Sequence, residues 1–221
     1  MQSAEMSALK TLRSGFFYLS VATAMLVAEP VFTPVIFIYT SSLVGMMGMA
    51  VFVTVLMLSI VVIFLYAIFG KVRPGMRQLS EVDGQFRICY TGTTLLLVGH
   101  VILLLGLIVL VAVSATASFL PKATGDTVLG GLTLTLGVPL IGAIIAWIGN
   151  ILTYVVGAFL LYSKYQNSLY MAAGILFVLD IALLLVGFSG ILTFVGYILM
   201  YKALDNTINK LSTAAATPAQ T

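Results

Sequence analysis

Long apolar runs separated by short polar breaks extend along this chain from about residue 14 to about residue 205. The stretch VFVTVLMLSIVVIFLYAIF (residues 51–69) is typical of these runs, and it lacks the apolar–polar alternation that a membrane β-strand would show. About 20 apolar residues in a helix cross the ~30 Å hydrocarbon core of a bilayer. The pattern therefore predicts an all-α fold, a polytopic bundle of membrane helices.

Prolines, glycines and polar residues divide the runs into predicted spans. Pro30 and Pro34 disfavour a continuous helix, so span one is predicted to end near Ala28, with EPVFTP as its outer turn. Spans two, three and four are predicted at about 42–69, 88–114 and 132–162. Span two should stop at Gly70 and Pro74-Gly75, and span four should be tilted or broken near Gly137-Val138-Pro139.

The last apolar stretch, Leu169–Tyr201, is too long for one ordinary span and barely long enough for two. A tight turn at GFSG (Gly187–Gly190) would divide it. Cytosolic loops carry the excess of Lys and Arg, and six spans place every Lys and Arg except Lys122 on the cytosolic side. We therefore predict about six transmembrane helices with both termini cytosolic, and five as the alternative.

This threading predicts three parts. Residues 1–13 form a polar cytosolic segment, residues 14–205 a single transmembrane helical domain, and residues 206–221 a disordered cytosolic tail. Within the transmembrane domain, residues 71–87 form a cytosolic interfacial segment and residues 115–131 an outer loop.

Composition supports a membrane location and argues against several chemistries. Of the 221 residues, 61% are hydrophobic and 8% are charged, against about 25% charged residues in soluble domains. Cys89 is the single cysteine and His100 the single histidine, so neither an intrachain disulfide nor bis-histidine haem ligation is possible. The chain contains no GxSxG, GxxxxGK[ST], HExxH or GxGxxG pattern. We expect no enzymatic activity, no cofactor, no metal and no nucleic-acid partner.

The one long polar stretch inside the apolar region, residues 76–93, is predicted to contain a short interfacial helix. Its apolar residues recur on one helix face: Met76, Leu79, Val82 and Phe86. Arg77 and Glu81 can pair at i, i+4, and Ser80 with Asp83 can form a capping box if the helix starts there. Together with Arg87, these charged residues form either a docking surface for a cytosolic partner or anionic lipid headgroups, or a connecting loop that keeps its charges in water.

Three polar residues fall inside predicted spans: His100, Asn150 and Asp180. Each lies about twelve residues, or roughly 18 Å, from the cytosolic end of its span, which predicts one polar layer near the middle of the bilayer. A hydrogen-bonded His100–Asp180 pair with Asn150 nearby would line a path for protons or a small solute. The alternatives are a structural interhelical hydrogen bond, or a short span five that shifts Asp180 toward the outer interface. Glu29 is predicted to be a carboxylate at the outer interface.

Regularly spaced glycines predict helix packing. Gly92, Gly99 and Gly106 recur every seven residues on span three, and Gly142 and Gly149 do the same on span four. Because small residues on one stripe let helix backbones approach closely, spans three and four are predicted to pack through these faces.

Three segments resemble a known family: LSEVDGQFRICYTGT (Leu79–Thr93), LKTLRSGFFYL (Leu9–Leu19) and the ILTFVGYIL region near the end of the chain. The chain resembles an archaeal family of uncharacterised multi-pass membrane proteins, catalogued only as a domain of unknown function and common in thermoacidophiles of the Sulfolobus type. The run SEVD-x-x-FRI-x-YTGT carries most of the resemblance. Cys89 departs from the family, in which a small residue is expected before the tyrosine. The resemblance implies an archaeal cell membrane and supplies no activity, cofactor or catalytic residue.

The leading functional hypothesis is a non-enzymatic, multi-pass protein of the cell membrane. It would be a structural or accessory component of a membrane assembly, in contact with lipids and packing with itself or with other membrane-protein subunits. The alternative is a small transporter or channel that uses the intramembrane polar layer. A membrane enzyme whose residues the sequence does not identify is a third hypothesis.

Overall fold

The computed structural model describes residues 2–39, 43–117, 125–184 and 190–216, and it is helical almost throughout those ranges. The eight α-helices within them are α1 (Gln2–Tyr39), α2 (Leu43–Ala67), α3 (Arg73–Val82), α4 (Arg87–Ala117), α5 (Gly125–Asn150), α6 (Val156–Tyr165), α7 (Ser168–Leu184) and α8 (Ile191–Ala216). A π-helical turn at Ile68–Val72 joins α2 to α3, and another at Ile151–Val155 joins α5 to α6. A 3-10 turn at Gly84–Phe86 precedes α4.

Because the π turns continue the neighbouring helices, the described residues form six helical rods, and the predicted all-α class is confirmed. Four segments are long and apolar enough to cross a membrane: Ser3–Glu29, Leu58–Val82, Gly84–Gly106 and Gly137–Tyr165. Helix α7 has 17 residues, roughly 25 Å, and is shorter than an ordinary crossing. The number of six crossings stays a prediction.

Span one continues through both of its prolines, which corrects the predicted end near Ala28 and the predicted outer turn at EPVFTP. Pro30 and Pro34 both lie inside α1, which ends at Tyr39. Each proline removes one backbone hydrogen bond. In an apolar environment a turn would leave more peptide groups without partners, so membrane helices tolerate proline.

The interfacial segment is a direct continuation of span two, because Gly70 and Pro74 do not end the helix as predicted. In a regular α-helix the Pro74 ring would clash with the carbonyl group of Gly70, four residues earlier. The π turn at Ile68–Val72 lies at this point, and the Arg73 N–H donates to the Ile68 carbonyl oxygen. The wider turn accommodates the proline and lets the chain remain helical to Val82.

The predicted apolar face of the interfacial helix is buried. Met76 and Leu79 are fully buried and Phe86 nearly so. The capping-box prediction is wrong, because α3 begins at Arg73 and the Ser80 hydroxyl donates to the Arg77 carbonyl oxygen. Instead, the carboxylate of Asp83 accepts a hydrogen bond from the Gln85 N–H and caps the following 3-10 turn.

The predicted polar segment at the start of the chain is also helical from Gln2 onward. It forms the first turns of α1, in which Leu9 and Leu12 are fully buried. Gly75 makes this packing possible, since a Cβ atom there would lie 2.7 Å from Cγ of Leu12. The beginning of α1 therefore packs against α3.

The predicted disordered tail, residues 206–221, is helical as far as Ala216, and the prediction is wrong for this part. Thr207 and Ile208 are buried, and the Thr207 hydroxyl lies 3.0 Å from the Tyr170 hydroxyl. Packing against other helices keeps this segment helical, and the local apolar pattern does not predict that packing. Residues 217–221 lie outside the described residues.

Two further boundaries differ from the predictions. Helix α4 extends to Ala117 and α5 begins at Gly125, so helices occupy both ends of the predicted outer loop 115–131. Residues 118–124 of that loop lie outside the described residues. Span four passes through Pro139 without a break, and its irregularity is the π turn at Ile151–Val155.

The last apolar stretch forms two helices, α7 and α8, as the six-span threading requires. Most of the predicted GFSG turn lies outside the described residues. Its last residue, Gly190, has a φ angle of +102°, which side chains with a Cβ atom rarely adopt.

The chain separates into two compact units. One contains Met1–Arg87 and Tyr154–Thr221, and the other contains Ile88–Thr153. The core of the first unit includes an aromatic cluster from four elements: Phe16, Tyr154, Phe177 and Tyr197. Ring centroids in this cluster lie 5.2–6.0 Å apart.

In the second unit, α4 packs against α5 and the beginning of the following π turn through the five predicted packing glycines. A Cβ atom on Gly142 would lie 2.6 Å from the Leu103 nitrogen, and one on Gly106 would lie 2.7 Å from Cδ of Pro139. The same close approach occurs at the other three glycines, namely Gly92, Gly99 and Gly149. The two helices are antiparallel with their backbones in contact.

Candidate functional site

Lys164, at the end of α6, is the centre of a charged cluster in the first unit. Its Nζ atom lies 3.1 Å from Oε1 of Glu5 and 3.2 Å from Oδ2 of Asp83. The Tyr165 hydroxyl donates to the same Glu5 oxygen at 2.7 Å. The three charged side chains are 19–27% exposed. The cluster joins the start of α1, the turn after α3 and the end of α6.

The cluster favours the charged forms of both carboxylates, which lie outside the predicted spans. The pKa of Asp83 is lowered by the hydrogen bond from the Gln85 backbone N–H and, next, by Lys164. Partial burial raises the pKa of Glu5, but hydrogen bonds from Tyr165 and Lys164 outweigh burial and leave this pKa below its ordinary value. Burial and the neighbouring Glu5 carboxylate raise the pKa of Tyr165. At neutral pH both carboxyl groups are thus ionised and the Tyr165 phenol is neutral.

Two other ion pairs occur among the described residues, one between α1 and α8 and one within α3. Arg13 on α1 binds Asp205 on α8, with an N–O distance of 2.6 Å. Arg77 and Glu81 form the predicted i, i+4 pair at 3.1 Å, with both side chains about two-thirds exposed. Arg87, also predicted to be interfacial, is exposed at the start of α4.

Asp180 is 8% exposed and lies on α7 opposite the beginning of α8. Its carboxylate accepts hydrogen bonds from the Gly190 N–H and from the Thr193 hydroxyl, the latter at 2.7 Å. A carboxylate beside a helix N-terminus satisfies backbone N–H groups that have no partner within the helix. Asp180 therefore caps α8 from the neighbouring helix.

The other two members of the predicted polar layer lie in the second unit. His100 Nδ1 is 2.7 Å from the Leu96 carbonyl oxygen, one helical turn earlier. Asn150 is half-buried at the end of α5, immediately before the π turn. Since Asp180 belongs to the first unit, the meeting of these three side chains stays a prediction.

Glu29, the predicted outer carboxylate, is half-buried within α1, ten residues before that helix ends at Tyr39. The continued helix places Glu29 on a helix and not at the predicted turn. Within the described part of the chain, no group of three or more His, Cys, Asp or Glu side chains has the arrangement of a metal site.

The family assignment rests on the whole sequence. The sequence model of the family described as "Protein of unknown function (DUF973)" matches residues 5–221. The chain belongs to this family. No curated protein and no solved structure matches it.

Two of the three segments that carry the predicted resemblance, Leu9–Leu19 and the ILTFVGYIL region, are neighbours in the first unit. A Cβ atom on Gly15 of the first segment would lie 2.8 Å from Cγ2 of Val72, just before α3. Phe16, in the same segment, contacts Tyr197 of the last segment, with ring centroids 6.0 Å apart. These two segments thus include parts of α1 and α8 that pack together.

Sequence reasoning missed the central role of Lys164 and its pairing with Glu5. The sequence predicts only the cytosolic side of the membrane for Lys164 and an interfacial position for Asp83. The signal available in the sequence was their common predicted side of the membrane, shared with Glu5 in segment 1–13. That shared side permits such a pairing but does not identify it.

Proposed function

We propose that this chain is a non-enzymatic, multi-pass protein of the cell membrane that serves as a structural or accessory component of a membrane assembly. The observation that carries the proposal is that partly buried charged side chains connect helices to one another through ion pairs. Lys164 joins Glu5 to Asp83, and Arg13 joins α1 to α8. Charged groups committed to holding helices together support a packing role more than a catalytic one.

Exposed apolar side chains in the second unit support contact with lipid or another subunit. Leu105 and Ile108 on α4 are 56% and 64% exposed, and Ile141 and Ile144 on α5 are 56% and 50% exposed. Such side chains are covered by lipid tails or by a second membrane protein. We propose self-association or a partner subunit on the α5 face.

An archaeal cell membrane is the proposed location. The run SEVD-x-x-FRI-x-YTGT, from Ser80 to Thr93, supports it by its resemblance to the archaeal family. The four apolar helices support a membrane location in general. Nothing in this proposal requires a cofactor.

Purification from the native membrane in mild detergent, followed by native mass spectrometry, tests the assembly role. We expect a complex of fixed stoichiometry that an Ile144→Asn variant loses. Val62→Asn is the matched control, because Val62 on α2 is 58% exposed and gains the same polar group. A monomer from native membranes, or equal loss in both variants, contradicts the proposal.

A proton or small-solute pathway is a second candidate, favoured by one observation: the buried Asp180 carboxylate on an otherwise apolar helix. Ionisable groups within membrane helices often belong to such pathways. Flux into liposomes should then fall in Asp180→Asn and His100→Ala variants. The absence of flux with the unmutated protein excludes this candidate.

A further inference from the structure

A groove of about 550 Å³ lies between the first turns of α1 and the π turn that contains Lys71. Four hydroxyl residues and two lysines dominate its lining: Ser3, Ser7, Thr11, Ser14, Lys10 and Lys71. The hydroxyl residues recur on α1 at helical spacing, so they share one face. We call this feature the lysine–hydroxyl groove.

The lining of the lysine–hydroxyl groove is suited to a phosphate group. No acidic residue lines it, and within the described residues no carboxylate forms an ion pair with Lys10 or Lys71. The Thr11 hydroxyl donates to the Ser7 carbonyl oxygen, which leaves the other hydroxyl groups as donors to a ligand. Ammonium and hydroxyl donors together bind phosphate oxygens.

Aromatic side chains next to the groove indicate the depth of a lipid headgroup. Lys71 Nζ lies 5.8 Å from the centroid of the Tyr66 ring, and this ring packs edge-on against Tyr18 at 5.2 Å. Phe17 and Tyr66 are both about half exposed. Aromatic rings below basic side chains are typical of the membrane–water interface.

Beyond the aromatic side chains, the surfaces of the same two helices are apolar. Val21 on α1 is 36% exposed and Val62 on α2 is 58% exposed. Lipid chains can cover these residues while a headgroup occupies the polar groove. A free phosphate ion would use only the polar part, so the continuous polar-to-apolar surface favours a lipid.

We propose that the lysine–hydroxyl groove binds the phosphate headgroup of an anionic membrane lipid, whose chains lie along the exposed faces of α1 and α2. Lys10 and Lys71 supply the positive charge, and Ser7 and Ser14 donate hydrogen bonds to phosphate oxygens. This site goes beyond the accessory role and does not depend on any partner subunit.

Native mass spectrometry of the full chain in detergent, with equimolar dioleoyl phosphatidic acid and dioleoyl phosphatidylcholine, tests the site. We expect preferential retention of phosphatidic acid. Lys10→Gln and Lys71→Gln should each weaken its binding about fivefold, the effect of one basic residue near an anionic lipid surface. Lys202→Gln is the matched control, because Lys202 is an exposed lysine that does not line the groove.

Several outcomes would overturn the site. Equal retention of the two lipids would do so, and an equal loss in Lys202→Gln would assign the effect to general surface charge. Displacement of the lipid by excess inorganic phosphate would assign the groove to a soluble phosphate ligand. If either lysine variant fails to fold, as judged by its melting temperature, Ser7→Ala provides the test, and unchanged lipid binding in a folded Ser7→Ala protein counts against the site.

Discussion

Lys164 gathers two carboxylates that lie far from it in the sequence. Asp83 is 81 positions away, and Glu5 lies still farther away, in the first turn of α1. Charge counting predicted the side of the membrane for these residues, whereas the pairing depends on how α1, α3 and α6 pack. By contrast, the Arg77–Glu81 pair follows from helical spacing alone, so the sequence predicted it.

Replacement of Lys164 by Gln should lower the free energy of unfolding by about 1–2 kcal/mol, because two partly buried carboxylates lose their cation. Thermal or denaturant unfolding in detergent measures the change. Arg77→Gln is the control, and its effect should stay below ~0.5 kcal/mol because that pair is largely exposed. Equal effects of the two substitutions would show that the Lys164 cluster contributes little to the free energy of unfolding.

The same cluster should make stability sensitive to acid. The pKa values of Glu5 and Asp83 are lowered in the folded protein, so their stabilisation is complete above the ordinary carboxyl pKa of about 4. It is lost as the pH falls through the lowered values. The free energy of unfolding should therefore decline below about pH 4. Lys164→Gln should decline less steeply than the unmutated protein, and an identical decline would contradict the assignment.

At the scale of helices, regularly spaced glycines predict helix contacts correctly, whereas single prolines predict turns or breaks that the structure does not have. The seven-residue glycine stripes correctly indicated the contact faces of α4 and α5 because close backbone packing needs small residues at helical intervals. Pro30, Pro34 and Pro139 suggested turns or breaks, yet each lies within a helix. Their local cost is outweighed by the need to satisfy backbone groups in an apolar environment.

Two glycines of α5 provide a matched test of the close contact between α4 and α5. Gly142→Ala should lower the free energy of unfolding by about 1–3 kcal/mol, because the added methyl group meets the backbone of α4. Gly137→Ala should be neutral or should stabilise by up to ~1 kcal/mol, because no described atom of another helix lies within 4 Å of the added carbon and alanine favours helix. Unfolding measurements in detergent compare them, and a stable Gly142→Ala protein would contradict the close contact.

At the scale of the whole molecule, α1 and α8 lie antiparallel along much of their length within the first unit. Arg13 binds Asp205, Phe17 contacts Tyr201, and Ser3 and Ala215 line a common groove. Apolar patterning predicted the membrane portions of these helices but not their polar ends. Neither polar end has a long apolar run of its own, so contacts between the two ends keep them ordered.

Because α1 and α8 are antiparallel, the beginning of α1 and the end of α8 lie at the same end of this helix pair. An even number of membrane crossings requires such an arrangement. Cysteine labelling tests it in a Cys89→Ala background, which removes the single native thiol. A membrane-impermeant maleimide should label Ser3→Cys and Thr213→Cys in inverted vesicles, whose cytosolic face is outward. It should label Lys122→Cys only in right-side-out vesicles, since the excess of positive charge marks the cytosolic side. Labelling of Ser3→Cys and Thr213→Cys from opposite sides would support five crossings, and labelling of Lys122→Cys together with Ser3→Cys would contradict the predicted threading.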